Sequence, residues 1–209
     1  MANTGPAVPI KSVCDILDEL RDLAGTEDRV TIGDVLDAIG DRSYGPALML
    51  PALIEISPIG GIPGVPTFLA LIIAITAVQL LIGKEHLWMP QFIQRRSVSA
   101  KKLRAAADKS NGLAHRLDKW FHGRLPAFVT GVWQRIAAGT VILLCLLVPP
   151  LEFIPFASTV PMLVIMGIGL AILVRDGLLM LIAISAGAVT VVAGLGIAGS
   201  TDLFGSQAE

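Results

Sequence analysis

The chain is 209 residues long, with a net charge of −1, 54% apolar residues and 16% charged residues. Soluble domains carry about 25% charged residues, so this composition excludes an ordinary soluble protein. It predicts one membrane-embedded unit with polar flanks.

The polar arm, residues 1–42, holds nine acidic residues and four Lys or Arg. It contains no apolar core long enough for a signal peptide, so we expect later segments to direct membrane insertion. Residues 9–24 place their apolar side chains on one face, which predicts an acidic amphipathic helix. Thr31-Ile-Gly-Asp34 has the form of a capping box and predicts a short second helix that ends at Gly40. We expect the two helices to form a packed polar cap.

The first membrane hairpin, residues 43–90, is apolar from Ser43 to Gly83 except for Glu55. A carboxylate is costly in lipid and is kept there for a reason. The helix before the break is about 12 residues, or roughly 18 Å, and does not cross a hydrocarbon core of about 30 Å. A re-entrant or short hairpin is therefore predicted. Its helix-breaking residues are Pro58, Gly60, Gly61, Pro63, Gly64 and Pro66.

Residues 84–135 form a basic belt with eleven Lys or Arg and three acids. Lys84, His86 and Trp88 are typical interface anchors. Within the connector, residues 91–134, two amphipathic helices are predicted at 97–109 and 113–122, lying on the membrane surface or beneath the hairpins. Nucleic-acid binding is disfavoured because the aromatic residues of this belt lie beside lipid-facing segments. Short loops rich in Lys and Arg stay in the cytoplasm, which predicts a cytoplasmic belt and N-terminus.

The second hairpin and a final helix occupy residues 135–199, followed by a tail at 200–209. Glu152 interrupts the apolar run, and Pro155 and Pro161 are the predicted helix breakers. Residues 178–199 are long and uncharged, which predicts a transmembrane helix that leaves the C-terminus outside. Its glycines favour close helix packing, either in a homodimer or against the hairpins of the same chain.

The two apolar regions share an order of parts that predicts an internal repeat. Each has an arginine, an apolar helix, a Glu-x-x-Pro motif, a second apolar helix and a charge pair, which is Lys84-Glu85 in the first region and Arg175-Asp176 in the second. Such repeats with broken helices place a pseudo-symmetric site at their interface, although unrelated hairpins with similar chemistry are an alternative. The candidate intramembrane site is Glu55, Glu152, Arg42, Arg135, Arg175 and Asp176. The glutamates either cap helix ends or pair with arginine, or they form a proton-carrying site.

Five segments carry a resemblance to a known family: Gly40-Asp-Arg-Ser-Tyr-Gly-Pro-Ala-Leu, Pro51-Ala-Leu-Ile-Glu-Ile-Ser-Pro-Ile-Gly-Gly-Ile-Pro-Gly-Val-Pro66, Gly83-Lys-Glu-His-Leu-Trp-Met-Pro90, Pro155-Phe-Ala-Ser and Arg175-Asp-Gly-Leu-Leu. They closely resemble the ExoD family of bacterial exopolysaccharide-synthesis proteins, over about residues 25 to 195. The resemblance implies an inner-membrane protein of Gram-negative bacteria that acts in exopolysaccharide production. It implies no reaction.

Catalytic signatures are weak in this sequence. The histidines all fall in the basic belt, and the glycine-rich loop lacks the Lys-[Ser/Thr] of a phosphate loop. Cys14 and Cys145 lie in different environments, which predicts neither a disulfide nor a metal site. We therefore expect an all-α integral membrane protein, without cofactor or catalysis, that acts in exopolysaccharide production. A small proton- or ion-coupled transporter is the alternative. Predicted partners are the bilayer and, beyond it, a lipid-linked saccharide, other membrane proteins or a second copy.

Overall fold

The computed structural model describes residues 12–26, 29–84, 87, 95, 97–120, 125–152, 154 and 157–205. Its helices are α1 Val13–Thr26, α2 Ile32–Ile39, α3 Tyr44–Ile56, α4 Val65–Ile82, α5 Ala100–Trp120, α6 Val132–Leu151, α7 Thr159–Val174 and α8 Gly177–Gly205. Two short strands, β1 Arg29–Thr31 and β2 Ser97–Ser99, pair antiparallel. The chain divides into a polar unit, residues 1–40 and 88–122, and an apolar unit, residues 41–87 and 123–209.

The polar unit joins the acidic arm to the basic connector. α1 packs along α5, and its apolar face, including Val13, Ile16 and Leu17, is buried. The Asp118 carboxylate accepts the first backbone N–H groups of α1, at 2.9 and 3.0 Å, and Arg21 donates to Asp108 at 2.9 Å. The acidic arm and the basic connector therefore pack together in one unit. The sequence analysis treats them as two separate segments.

The capping box of α2 is confirmed. The Thr31 hydroxyl accepts the Asp34 N–H at 3.2 Å, and the Asp34 carboxylate accepts the Thr31 N–H at 2.9 Å. These hydrogen bonds, from the Thr31 hydroxyl first, hold the pKa of Asp34 below its ordinary value. The helix ends at Ile39, before Gly40, as predicted.

The prediction of two helices in the connector is wrong, because residues 100–120 form the single helix α5. Gly112 lies inside it, where glycine costs about 1 kcal/mol relative to alanine. Packing of α5 along α1 offsets this cost, and propensity alone does not report such packing. Strands β1 and β2 were also not predicted, since three residues are too few to show an alternating pattern.

The apolar unit is a bundle of α3, α4, α6, α7 and α8. α3 packs along α7, and α4 packs along α6, so each helix of the first hairpin lies mainly against a helix of the second. The turn between α3 and α4 and the turn between α6 and α7 lie at the same end, which we call the tip end. The starts of α3, α6 and α8 and the ends of α4 and α7 lie at the other end, the base end.

Three of these helices are long and apolar enough to cross a membrane: Val65–Ile82, Val132–Leu151 and the Gly177–Gly194 part of α8. α3 and α7 are also apolar but shorter. Large apolar side chains face outward around the bundle, among them Phe68, Leu146 and Val192, each more than 60% exposed. A continuous outward apolar surface of this kind suits lipid. α8 continues to Gly205, past the end predicted at residue 199.

The glycine face of α8 packs against its own chain. A Cβ at Gly187 would lie 2.5 Å from Cγ2 of Thr140 on α6, and one at Gly194 would overlap Leu147. Both glycines are buried. These two glycines therefore do not form an exposed surface for a homodimer. They pack on the hairpins of the same chain, which was the second of the two expectations.

Candidate functional site

The turn between α3 and α4 is shaped by its prolines and glycines. Pro58–Gly61 forms a 3-10 turn, and a Cβ at Gly60 would overlap the backbone carbonyl of Glu55. Gly64, with φ of 88°, lies in the left-handed region that glycine adopts without strain and caps the start of α4. Pro66 stands in the first turn of α4, where its missing N–H is not needed. The predicted breaking residues thus end α3 and start α4 within a few residues.

Glu152 is the residue at which α6 ends, and its carboxylate reaches the first hairpin. One oxygen accepts the backbone N–H of Gly64, and the other accepts the hydroxyl of Thr67. Both donors belong to the start of α4, where the helix dipole favours a negative charge. The Thr67 hydroxyl, and then the Gly64 N–H, hold the pKa of the Glu152 carboxyl below its ordinary value, because they stabilise its ionised form.

Glu55 makes the matching contact in the other direction. It lies in the last turn of α3 and is only 4% exposed. Its Oε1 accepts the hydroxyl of Ser158, the residue that caps the start of α7, at 2.5 Å. Its Oε2 is buried and has no hydrogen-bond partner among the described residues. One oxygen of the Glu55 carboxylate therefore binds the second hairpin, and the other accepts no hydrogen bond from the described residues.

The two glutamates have similar roles but different helical positions. Glu152 is the C-cap residue of α6, whereas Glu55 lies inside α3, two positions before its C-cap Ser57. The ends of α4 and α7 also do not match the predicted alignment of the two charge pairs. Gly83 is the C-cap residue of α4 and Arg175 is the C-cap residue of α7, both in the left-handed conformation, so Arg175 corresponds to Gly83 and not to Lys84.

A cavity of about 700 Å³, the tip cavity, lies between the two turns and is lined by both glutamates. Ser57, Ser158 and Thr159 also line it; the Ser57 hydroxyl donates to the Ile54 carbonyl and the Ser158 hydroxyl donates to Glu55. Its remaining lining is Ile56, Pro58, Gly60, Gly61, Ile62, Pro63, Pro66 and Ile154. The volume lies within the range of about 300 to 1,000 Å³ that is typical of small-ligand pockets. The chemistry that the cavity offers is hydrogen-bond acceptance by the two glutamates that line it.

The predicted cationic part of the site lies elsewhere. Arg42, Arg135, Arg175 and Asp176 all stand at the base end, about 20 Å from Glu55 along the 13 residues of α3. Arg42 is buried and donates to the carbonyl of Leu173 at 3.4 Å, and the Arg135 guanidinium lies against Gly83. The Asp176 carboxylate accepts the Leu179 N–H at the start of α8, at 3.0 Å. The structure therefore brings the glutamates together but separates them from the arginines.

The interface anchors are only partly described. Lys84 is exposed, and its backbone carbonyl accepts the hydroxyl of the buried Tyr44 at 2.9 Å. His86, Trp88 and Pro155 lie outside the described residues. Pro161 is buried in the first turn of α7, where, like Pro66, it starts a helix and does not interrupt one.

Sequence reasoning missed the hydroxyl donors of the tip cavity. Thr67 and Ser158 are small polar residues at the starts of apolar helices, which is a recognisable capping signal. Their partners were not predictable, because each donor binds the glutamate of the other hairpin. Only the pairing of α3 with α7 and of α4 with α6 reveals this exchange.

The polar unit brings together a cysteine and a histidine that lie far apart in sequence. Cys14 Sγ lies 3.6 Å from Nδ1 of His115. Burial, followed by the hydrogen bond to Asp118, raises the pKa of the Cys14 thiol to about 11. A reactive cysteine has a lowered pKa, so this thiol is not an activated nucleophile at neutral pH. Among the residues that the structure describes, no three His, Cys, Asp or Glu side chains are grouped to hold a metal ion.

The family model and one curated relative both carry the name ExoD. Residues 13–195 match the family model described as "Exopolysaccharide synthesis, ExoD". The chain is 29% identical to Protein ExoD of Rhizobium meliloti over 155 residues, which cover 72% of this chain and 62% of that protein. It is 26% identical over 167 residues to an uncharacterized protein of Synechocystis, covering 77% and 76% of the two chains. No solved structure matches.

Proposed function

We propose that this chain, a membrane protein that belongs to the ExoD family, acts in exopolysaccharide production as a non-catalytic membrane component. The observation that carries the proposal is the tip cavity, in which Glu55 and Glu152 converge from opposite hairpins. The match spans 62% of the length of the rhizobial relative. A role of this chain in exopolysaccharide production is therefore an inference, and the name of that relative does not establish it.

A saccharide hydroxyl is the ligand chemistry that the tip cavity favours. Carboxylate oxygens accept hydrogen bonds from hydroxyl groups, and Oε2 of Glu55 is buried without a protein donor among the described residues. A buried acceptor of this kind costs about 1–3 kcal/mol unless it is satisfied. Ser57 and Thr159 are also among the residues that line the cavity. A lipid-linked saccharide, or a polar segment of another membrane protein, would supply hydroxyl donors to the glutamates that line the cavity.

The proposed location is the bacterial inner membrane, with several passes through it. The base end carries Arg42, Lys84, Arg135 and Arg175, and by the positive-inside rule it faces the cytoplasm together with the N-terminus and the basic belt. The tip cavity then lies toward the opposite side of the bilayer, at the depth that the first hairpin reaches, and α8 carries the C-terminus outside. α3 has 13 residues, or about 20 Å of helix. This length supports a re-entrant first hairpin.

The internal repeat and the homodimer remain proposals. The exchange of glutamate contacts between the hairpins supports a pseudo-symmetric pair, whereas the different positions of Glu55 and Glu152 in their helices weaken it. Most closed assemblies are two-fold dimers, but any dimer would use a surface other than the buried Gly187 and Gly194.

The transporter alternative finds no support in the names of the family or of the relatives. The two functions predict different consequences of neutralising the glutamates. Glu55→Gln and Glu152→Gln keep the shape of the site but remove its charges. A saccharide-handling component loses polymer output, whereas a proton-coupled transporter loses proton movement into vesicles.

The test is complementation of the source bacterium after deletion of its own copy of the gene. Secreted exopolysaccharide is measured together with the amount of the protein in the membrane. We expect Glu55→Gln to lower polymer output at an unchanged protein level, and Glu19→Gln, an exposed carboxylate on α1, to have no effect. Full polymer output from the double variant Glu55→Gln, Glu152→Gln would overturn the proposal.

A further inference from the structure

The long helix of the polar unit, α5, has two opposite sides. α5 packs along α1, and on its inner side Ala107 and Ala114 are only 3% and 2% exposed. On the outer side, three cations recur every seven residues and all are exposed: Lys102, Lys109 and Arg116. Seven residues are close to two helical turns, so these cations form one line along the helix, which we call the basic stripe.

The packing of α5 changes how this segment meets a membrane. An amphipathic surface helix ordinarily buries its apolar side in the lipid, but the apolar side of α5 packs against α1. The side that remains exposed is the basic stripe. Trp120, the last residue of α5, is 77% exposed and lies one turn after Arg116, on the same side of the helix. Tryptophan is enriched at the level of lipid headgroups.

The acids of the connector do not pair with the basic stripe. Residues 88–131 contain only two acids, Asp108 and Asp118, and both bind α1. Asp108 accepts a hydrogen bond from Arg21, and Asp118 accepts the first backbone N–H groups of the helix. Both ion pairs in the described part of the polar unit use Arg21, and neither uses a cation of the stripe. The stripe therefore presents its charges to an external anion.

We propose that the basic stripe, together with Trp120, binds the anionic headgroups of the membrane. Only residues 121–131 separate α5 from α6, which is long and apolar enough to cross a bilayer. This segment extends over at most about 40 Å, so the chain keeps the stripe within reach of the headgroups. Each Lys or Arg near an anionic leaflet strengthens binding about fivefold. This surface goes beyond the proposed function, because it uses none of the residues of the tip cavity.

The test places a polarity-sensitive fluorophore on the stripe of the full-length chain in lipid nanodiscs. Gly112→Cys carries the label, because Gly112 is exposed between Lys109 and Arg116 and no atom lies within 4 Å of an added Cβ. Cys14→Ser removes the competing thiol, since Cys145 is buried. A reference label stands at Asp22→Cys, on the exposed side of α1.

Nanodiscs of phosphatidylcholine are compared with nanodiscs that also contain phosphatidylglycerol. We expect phosphatidylglycerol to shift the emission of the label on the stripe to shorter wavelengths and to leave the reference label unchanged. High salt should reverse the shift, because it screens exposed charges. Polyphosphate added to phosphatidylcholine nanodiscs is the soluble probe. A shift with polyphosphate but none with phosphatidylglycerol would assign the stripe to a soluble polyanion and overturn the proposal.

The stripe variant is Lys109→Gln with Arg116→Gln. Its matched control is Arg29→Gln with Arg95→Gln, which removes two exposed cations of the polar unit outside α5. We expect the emission shift to fall by at least half in the stripe variant and to persist in the control. If the stripe variant does not fold, Trp120→Ser serves, because it keeps every charge and alters a side chain that is mostly exposed. No shift of the stripe label, an equal shift of the reference label, or equal loss in stripe variant and control would overturn the proposal.

Discussion

At the tip end of the apolar unit, carboxylates meet the starts of helices, whereas at the base end cations meet helix ends. Glu152 and Glu55 reach the starts of α4 and α7, and Arg42 reaches the end of α7. Each charge therefore complements a helix dipole. The ends also differ in the charges that they carry: Glu55 and Glu152 line the tip cavity, whereas arginine and lysine side chains stand at the base end. Charged side chains at the two ends of this bundle therefore hold the hairpins together.

The largest expected effect on stability is at the tip end, where Gly60 packs against the backbone carbonyl of Glu55. We expect Gly60→Ala to destabilise the protein by about 3 kcal/mol, because its Cβ would overlap a backbone carbonyl that is fixed by α3. The thermal unfolding midpoint in detergent measures this. Gly61→Ala is the matched control, since no atom lies near its added Cβ. Equal midpoints for the two variants would contradict the packing of the turn.

The next effect tests whether α8 belongs to the same bundle. We expect Gly194→Leu to destabilise the chain by about 1–3 kcal/mol, because the new side chain would collide with Leu147 of α6. Gly196→Leu should be nearly neutral, since its Cβ position is open. Particle mass in mild detergent is measured at the same time. A change in mass without loss of stability would show that Gly194 lies in an interface between copies.

The two glutamates of the tip end should respond differently to neutralisation. Glu152→Gln weakens two hydrogen bonds to the start of α4 and should cost about 1–2 kcal/mol. Glu55→Gln should cost less, because it removes a buried charge with one unsatisfied oxygen. The thermal unfolding midpoints of the two variants are compared, and the Glu152→Gln midpoint should be the lower. A larger loss for Glu55→Gln would show that its second oxygen has a partner essential to the fold.

The Glu152 contact also predicts an acid dependence. Its folded pKa is depressed, so its stabilisation is complete above the ordinary glutamate pKa of about 4.3 and is lost as the pH falls through the folded value. Glu152→Gln should remove this part of the acid dependence. A variant that loses stability with falling pH as steeply as the unaltered chain would contradict the assignment.

The smallest effect is at the base end, at Tyr44. Tyr44→Phe removes the hydrogen bond from its hydroxyl to the Lys84 carbonyl and should cost about 1 kcal/mol or less, because Lys84 is exposed and water replaces the donor. The unfolding midpoint should fall only slightly. A loss as large as that for Gly60→Ala would mean that the base end, and not the tip end, limits stability.

The sequence predicted the local structure better than the contacts between segments. The capping box at Thr31 and the end of α2 before Gly40 were predicted correctly, because both depend on neighbouring residues. The single helix α5 and the pairing of β1 with β2 depend on partners far along the chain. The glutamates were recognised as a pair from their cost in lipid. Their separation from the arginines follows from helix direction, which composition does not report.

The central claim is that each glutamate holds the second helix of the opposite hairpin, and a double-mutant cycle tests it directly. Free energies of unfolding are measured for Glu152→Gln, Thr67→Val and the double variant, and likewise for Glu55→Gln with Ser158→Ala. We predict coupling of about 1 kcal/mol within each of these pairs, as contacting residues show. The crossed pair, Glu55→Gln with Thr67→Val, should be additive. Additive effects within both contacting pairs, or coupling in the crossed pair alone, would contradict the exchange between hairpins.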